Sequence, residues 1–347
     1  MQRFFSLIQI ENIKMWKRIS TKIMPLILIV VIVGFCGLFK YIEVKFPNGM
    51  RGRNSNTSSQ TTVVASDWKT QLQQQITGSK ASLAKANESG ATRIEKMAIG
   101  GLEKTIAEDQ YRLDNNLDPA NDTALNQSIW ARMIDADQQM NPNFGMIIAL
   151  FLIIACSAAV AGEFSEGTMK MMITRPFHRA EILTAKMIAI LTYGVMLFIE
   201  TLVVVFISSG LFYGFHNPGS NELLWTGSQI LSIPGFLKMF IVYGLEFLTT
   251  IVYVIFALML ATLSRSRAMA TGFSLFLLLV GGSLLSLLAI FFDWGKYILF
   301  TVTGFSGFIV SGSSIVGTSL SFALILSLIY SAVFLFVAYF AFEKRDI

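Results

Sequence analysis

Six long apolar stretches constrain this chain more than any other feature: Ile23–Ile42, Asn143–Gly162, Met187–Phe212, Leu237–Leu263, Ala270–Phe292 and Ser321–Phe342. Each reaches the roughly 20 residues that a helix needs to cross a hydrocarbon layer of about 30 Å. None alternates polar with apolar residues as a barrel strand would, so helices are the expected form. Water could not solvate such a surface: 54% of residues are hydrophobic and 14% charged, against about 25% charged in soluble domains. The expected fold class is an all-α integral membrane protein with six transmembrane helices.

Charge sets the expected orientation. Five Lys/Arg precede the first run; Lys170, Arg175, Arg179 and Lys186 follow the second; Arg265 and Arg267 separate the fourth from the fifth; Lys344 and Arg345 end the chain. The two short alternate connections are nearly free of Lys/Arg, with none between Phe212 and Gly235 and only Lys296 between Asp293 and Leu320, while the eleven Lys/Arg and twelve Asp/Glu of the long segment 43–142 nearly cancel. By the positive-inside rule both termini are cytoplasmic. The first run is expected to be an uncleaved anchor, because it is long and lacks a small-residue cleavage site. The net charge of +5 fits anionic lipid and orientation signals, and no nucleic-acid partner is expected. Cys36 and Cys156 lie in apolar runs and are expected to be packing residues.

The domain plan follows from these runs. Residues 1–22 are expected to form a cytoplasmic amphipathic interfacial helix on the inner leaflet, with Met1, Phe5, Ile8, Trp16 and Ile19 on one side, Arg3, Lys14, Lys17 and Arg18 opposite, and Leu7 and Ile10 out of pattern. Spans at 23–42, 143–162, 187–212, 237–263, 270–292 and 321–342 alternate with outer segments 43–142, 213–236 and 293–320 and inner segments 163–186, 264–269 and 343–347. Segment 43–142 begins with a Gly/Ser/Asn-rich linker, Pro47–Ser66. Trp68, Leu72, Ile76 and Leu83, then Ile94, Met97, Leu102, Ile106 and Leu113, recur at helical spacing on either side of a break near Gly90, which predicts a helical hairpin. A turn is expected at Asp118–Asp122, followed by a short helix around Trp130. The hairpin serves either as a spacer, packing on itself or a second subunit, or as a contact surface for substrate or peptide. Segment 293–320 carries Gly304, Gly307, Gly312 and Gly317 among phenylalanines, which suits either a re-entrant helical pair capping a pathway or an apolar surface loop.

Chemistry is sparse. His178 and His216 fall on opposite sides of the expected membrane, so they form no pair for metal or relay within one chain. HExxH, GxSxG and CxxC are absent, and Gly295-Lys296 is followed by Tyr297 without the upstream glycine of a phosphate loop. No catalytic residues, metal or cofactor are expected in this chain, and an ATP-driven activity would need its ATPase elsewhere. Glu200 and Glu246 fall inside spans, where an ionisable group is costly: each is either a substrate or proton contact or an acid bonded to neighbours such as Thr201, Thr249 or Tyr243. The stretch Gly162–Arg179 predicts a short amphipathic helix with Met169, Met172 and Ile173 on an adaptable face, a break at Pro176, and a second helix, as a docking projection for a partner would require.

Glu163-Phe164-Ser-x-Gly167-Thr168, then Arg175-Pro176-x-x-Arg179 and Ile182-Leu183-x-x-Lys186, resembles the first cytoplasmic loop of the permease subunits of exporter-like, second-type ABC transporters (the ABC-2 type permease family). The resemblance implies six spans, a homodimer or pairing with a related permease, and export driven by a separate cytosolic ABC ATPase that binds ATP and Mg. It places Glu163, Phe164, Gly167, Thr168, Arg175, Pro176 and Arg179 on an ATPase-coupling element, Lys186 at the membrane edge, and Gly304, Gly307 and Gly312 in a re-entrant segment. His178 departs from the small polar residue usual there. Under this expectation the chain lies in a bacterial plasma membrane and moves a peptide, drug or other amphipathic substrate. The alternative is a membrane sensor or assembly protein whose outer hairpin binds a ligand and signals through the inner loop.

Overall fold

The computed structural model describes residues 2–45, 68–88, 92–117, 128–140, 142–165, 178–264, 266–312 and 318–344. The expected linker Pro47–Ser66, the break at Gly90, the turn Asp118–Asp122 and Arg265 lie outside the described residues. Over the described residues the chain is mostly helical. α1 (Gln2–Lys17) leads into α2 (Ile19–Lys45). α3 (Trp68–Asn87), α4 (Arg93–Met97) and α5 (Ile99–Asp114) form a hairpin in which α3 packs on α5 and buries Leu72 and Ile76. Thr92 starts its second arm with a capping box, its N–H donating to Glu95 Oε2 at 2.8 Å while Glu95 N–H donates back to Thr92 Oγ1 at 3.4 Å.

α6 (Ile129–Gln139) feeds α7 (Phe144–Ala159), whose cap is Asn143, accepting from Met146 N–H at 2.9 Å. The one-turn α8 (Ala161–Ser165) follows, and α9 (Arg179–Tyr213), α10 (Gly235–Leu263) and α15 (Leu320–Lys344) are long. Among the described residues, five helices are long and apolar enough to cross a membrane: Ile19–Lys45, Phe144–Glu163, Arg179–Tyr213, Gly235–Leu263 and Leu320–Lys344. They coincide with five of the six apolar runs. The remaining run, Ala270–Phe292, is built differently: α11 (Arg267–Phe276) passes through a π-helical turn, Leu277–Gly281, into α12 (Gly282–Phe291). Adjacent glycines at 281 and 282 lower the cost of widening the helix there, so hydropathy alone predicted one regular span where the backbone makes two short helices.

The connection 213–236, expected as a plain loop, contains the two described strands, β1 (Asn221–Trp225) and β2 (Ile230–Pro234), paired antiparallel from Asn221 with Pro234 to Trp225 with Ile230. Gly227 takes the turn at φ +94° and Thr226 N–H donates to Gln229 O at 3.1 Å. Trp130 of α6 anchors on this hairpin, donating Nε1–H to Pro218 O at 2.7 Å and stacking on Phe206 of α9. Beyond α12 come a 3₁₀ turn (Asp293–Tyr297), α13 (Leu299–Val302) and α14 (Phe305–Val310).

The central post is α7, which is buried along most of its length and packs on α9, α10 and α11. The α3–α5 hairpin sits over α14, where the Lys104 ammonium donates to Val310 O. Gly312 completes that contact at φ +62°: a Cβ there would lie 2.8 Å from Gly100 O and 2.9 Å from Lys104 Cβ. Gly304 has open space around it, and a Cβ on Gly307 would meet only Ser311 Oγ at an ordinary 3.7 Å. Gly312→Ala should therefore cost about 1–3 kcal/mol in thermal unfolding of the detergent-purified protein, and Gly304→Ala less than about 0.5 kcal/mol. Equal effects would show that the hairpin contact does not need this backbone.

Candidate functional site

Polar groups concentrate at the two ends of α7. At its C-terminal end lies an ionic knot. Lys186, on the first part of α9, is 1% exposed and donates to Glu11 Oε2 at 3.0 Å, lies 2.7 Å from Glu163 Oε2, and donates to the orphan carbonyl of Ala159 at 3.0 Å. Lys14 closes the knot, 2.8 Å from Glu11 Oε1 and 3.7 Å from Glu163 Oε1. Glu11 comes from α1, Glu163 from α8 and Lys186 from α9, so one ammonium ties three helices. Burial opposes ionisation of Glu11, but Lys186 and Lys14 together outweigh it and hold its carboxyl below the ordinary 4.5.

Local sequence explains why α1 delivers Glu11. Leu7, Glu11 and Met15 recur every four residues and are all buried, with Leu7 packed on Ile182 and Ala185 of α9. The apolar face expected to meet lipid is a separate one and is open to the outside, with Phe5 66% exposed and Trp16 40% exposed. Leu7, out of pattern for a surface helix, belongs to the inward stripe. Tyr193 reinforces the junction, donating its hydroxyl to Thr21 O at 2.9 Å and meeting the Trp16 ring edge-on.

Of the eight residues expected to couple to an ATPase, Gly167, Thr168, Arg175 and Pro176 lie outside the described residues, as does the Phe164 side chain. Glu163 and Lys186 come together. Arg179 sits apart from them at the start of α9, donating Nη1–H to Glu343 O of α15 at 3.0 Å. His178 N–H donates to Glu181 Oε2 at 3.1 Å, capping the same helix. Glu11 was not among the sequence candidates, although it is the only acid in the first 22 residues.

At the N-terminal end of α7 is a chamber of ≈ 240 Å³, enclosed by α7, α10, the π turn with the start of α12, and α13–α14. Glu246 of α10 lines it and is 4% exposed. Glu246 Oε1 accepts from Gln138 Nε2 at 3.1 Å and Asn143 Nδ2 at 3.2 Å, and the same Gln138 amide donates to Asp137 Oδ2 at 3.0 Å. Asp137, fully buried, also caps α7, accepting from Phe144 N–H at 2.9 Å. Burial raises the Asp137 carboxyl above its ordinary range. Space for Glu246 is made by Gly145, where a Cβ would come within 3.1 Å of Glu246 Oε2.

The expected partners of Glu246 are occupied elsewhere. Tyr243 donates to Met133 O at 3.1 Å, while Thr249 donates to Leu245 O at 3.1 Å and to Thr303 O at 2.6 Å. Glu200 is half-buried on α9, away from the residues that line the chamber. Gly304 lines the chamber, and Gly312 lies beyond it at the hairpin contact. Asp137 lay outside the apolar runs and so escaped the search for intramembrane acids. Among the described residues no group of three or more His, Cys, Asp or Glu is arranged to hold a metal ion.

Comparison with known proteins identifies the family. A family model described as "Protein of unknown function (DUF2705)" matches residues 122–347. The chain is 29% identical to Uncharacterized protein YhcI of Bacillus subtilis (strain 168) over 99% of both chains. It is 22% identical to Uncharacterized membrane protein YdbK of the same strain, over 59% of this chain and 80% of that protein. These matches correct the family expectation: the chain matches the DUF2705 model and relatives that bear no permease name, so the likeness of the Glu163–Lys186 stretch to ABC-2 type permeases does not define its family. The apolar helices together with the membrane-protein relative indicate a multi-pass membrane location.

Lys186→Met takes from the buried Glu11 and Glu163 carboxylates the ammonium they share, and should lower stability by about 3–5 kcal/mol in detergent. Removing all three charges with E11Q, E163Q and K186M should restore most of it. Because the Glu11 carboxyl is held below 4.5, its contribution is present above that pH and is lost as the pH falls through its lower folded value. The stability gap between wild type and E11Q should close on acidification; a gap that widens would contradict the knot.

Proposed function

We propose that this chain, which belongs to the DUF2705 family, is the transmembrane subunit of an ATP-driven transporter whose nucleotide hydrolysis resides in a separate cytosolic ATPase. One observation carries the reading: the ionic knot and the acidic chamber occupy opposite ends of the same buried helix. α7 has 16 residues, so the two sites are separated by roughly 24 Å at about 1.5 Å per residue. The knot fixes α1, α8 and α9 to the C-terminal end of α7 beside the charged segment 163–186, while Gly145 and Asn143 at the other end form part of the chamber wall.

A force applied to segment 163–186 or to α1 is transmitted along a packed helix, because a ladder of intrahelical hydrogen bonds resists shear and stretch. The chamber changes shape with it. This arrangement suits a driven conformational cycle in which the chain itself has no nucleotide site. In the proposed topology the chain crosses the membrane six times, the sixth crossing being the π-interrupted α11–α12, with both termini and the knot inside and the α3–α5 hairpin outside. The charge pattern of the short connections supports this orientation. The subunit works beside a second copy or a related subunit in the cell membrane, and export of an amphipathic substrate is the direction proposed.

A photo-crosslinking residue at position 175 should capture an ATPase in native membranes, and Arg175→Glu should lower ATP-dependent substrate movement by about tenfold with insertion and abundance unchanged. Capture of a kinase, with no ATP-dependent movement of substrate, would overturn the reading in favour of a sensor.

A further inference from the structure

The chamber combines features that select one kind of ligand. Its charged groups are carboxylates alone: Glu246 in the wall and Asp137 behind it, joined through the Gln138 amide nitrogen. No described lysine or arginine is paired with either. Glu246 Oε2 has no partner at full hydrogen-bonding geometry among the described residues; the Ser306 hydroxyl and the Asp137 carboxyl act on the Glu246 carboxyl from nearby, and the side chain is nine-tenths buried and lines the cavity. A charged oxygen in that position gains most from a cation that enters the cavity.

Part of the wall is aromatic. Tyr253 and Phe300 both line the chamber with ring centroids 5.3 Å apart, presenting π-electron density rather than a cation-repelling charge. The exit is apolar: Leu279 lines the chamber and is also 46% exposed on the outer surface of the π turn, beside exposed Phe276 and Val280. A ligand filling the whole path therefore has a positive head of small volume and a hydrocarbon tail.

We infer that the chamber binds the ammonium head of a cationic amphipath, between Glu246 and the Tyr253–Phe300 pair, with the tail leaving past Leu279 toward the lipid. Two carboxylates that share one donor in a low-dielectric site carry one proton between them when the site is empty. Entry of a cation releases that proton. The other titratable groups near this site are few. Tyr243 and Tyr253 belong to the same helix as Glu246; Arg132 and Asp135 share α6 with Asp137 and line no part of the chamber; Glu200 of α9 lies outside it; Lys238 and Glu222 pair with each other at 3.7 Å. α7, the π turn, α12 and α14 contribute no charged side chain. The Asp137–Glu246 pair is thus the source of the proton. This assignment rests on the transport reading for its meaning, but the two fail separately, since binding is measured without any ATPase.

The full chain in neutral-lipid nanodiscs is titrated calorimetrically with dodecyltrimethylammonium, with its uncharged tert-butyl analogue and with dodecyl sulfate, and proton release is followed with an indicator dye in weak buffer. The ammonium should bind at least about tenfold more tightly than either comparison compound, release protons, and bind more tightly as pH rises. Glu246→Gln should abolish that preference and the proton release, while Glu200→Gln should leave both unchanged. Equal binding of the ammonium and its neutral analogue to wild type, or binding without proton release, would overturn the proposal even if E246Q does not fold. Ammonium binding in a protein that assembles with no ATPase would leave the site standing and remove the transport reading.

Discussion

A single lysine ammonium holds the architecture at one end. Lys186 is removed from water, and the cost of that removal is offset only because two carboxylates and a carbonyl converge on it from three other helices or helix ends. Such a knot contributes little net stability compared with an apolar replacement of the same shape. Its consequence is geometric: α1, α8 and α9 cannot slide past the end of α7 without exposing an unpaired buried charge. Apolar contacts between helices permit many registers, whereas this contact permits one.

The opposite end of α7 shows the complementary condition. There the carboxylates of Asp137 and Glu246 are satisfied in part by neutral amides from Gln138 and Asn143, with no described ammonium among them. Gly145 gives up its side chain to seat Glu246, and the π turn at Leu277–Gly281 widens the neighbouring helix beside the same cavity. Both departures from regular helix cost stability, and both enlarge one polar space. A purely structural core would close it. The contrast between a charge-balanced knot and an unbalanced acidic chamber, joined by one rigid helix, underlies the transport reading.

The spans were legible because hydropathy over about 20 residues needs no knowledge of what each helix touches. Five runs became helices long enough to cross a membrane; the run at Ala270–Phe292 has the same hydropathy, but the Gly281–Gly282 pair marks where the helix widens. Glu163 and Lys186 were singled out for an outside partner; in the structure they pair with each other, and Lys186 pairs with Glu11 as well. Glu11 was hidden in a basic helix read as facing lipid with Phe5 and Trp16; the register Leu7, Glu11, Met15 was the available clue. Glu246 was legible as a costly intramembrane acid, but Asp137 was not, because its partner lies more than a hundred residues away in sequence and only tertiary packing brings them together. The β1–β2 hairpin was signalled by Gly227 between two β-prone segments, a short-range pattern masked by the apolar runs around it.

The account depends most on which side of the membrane the knot faces. Single cysteines at positions 175 and 80, in a chain whose buried Cys36 and Cys156 are replaced by serine or alanine, can be labelled in intact cells with a membrane-impermeant maleimide. Labelling at position 80 of the α3–α5 hairpin, with position 175 protected until the membrane is permeabilised, is the predicted result. Labelling at position 175 in intact cells would put the knot outside, beyond the reach of any cytosolic ATPase, and would contradict the account.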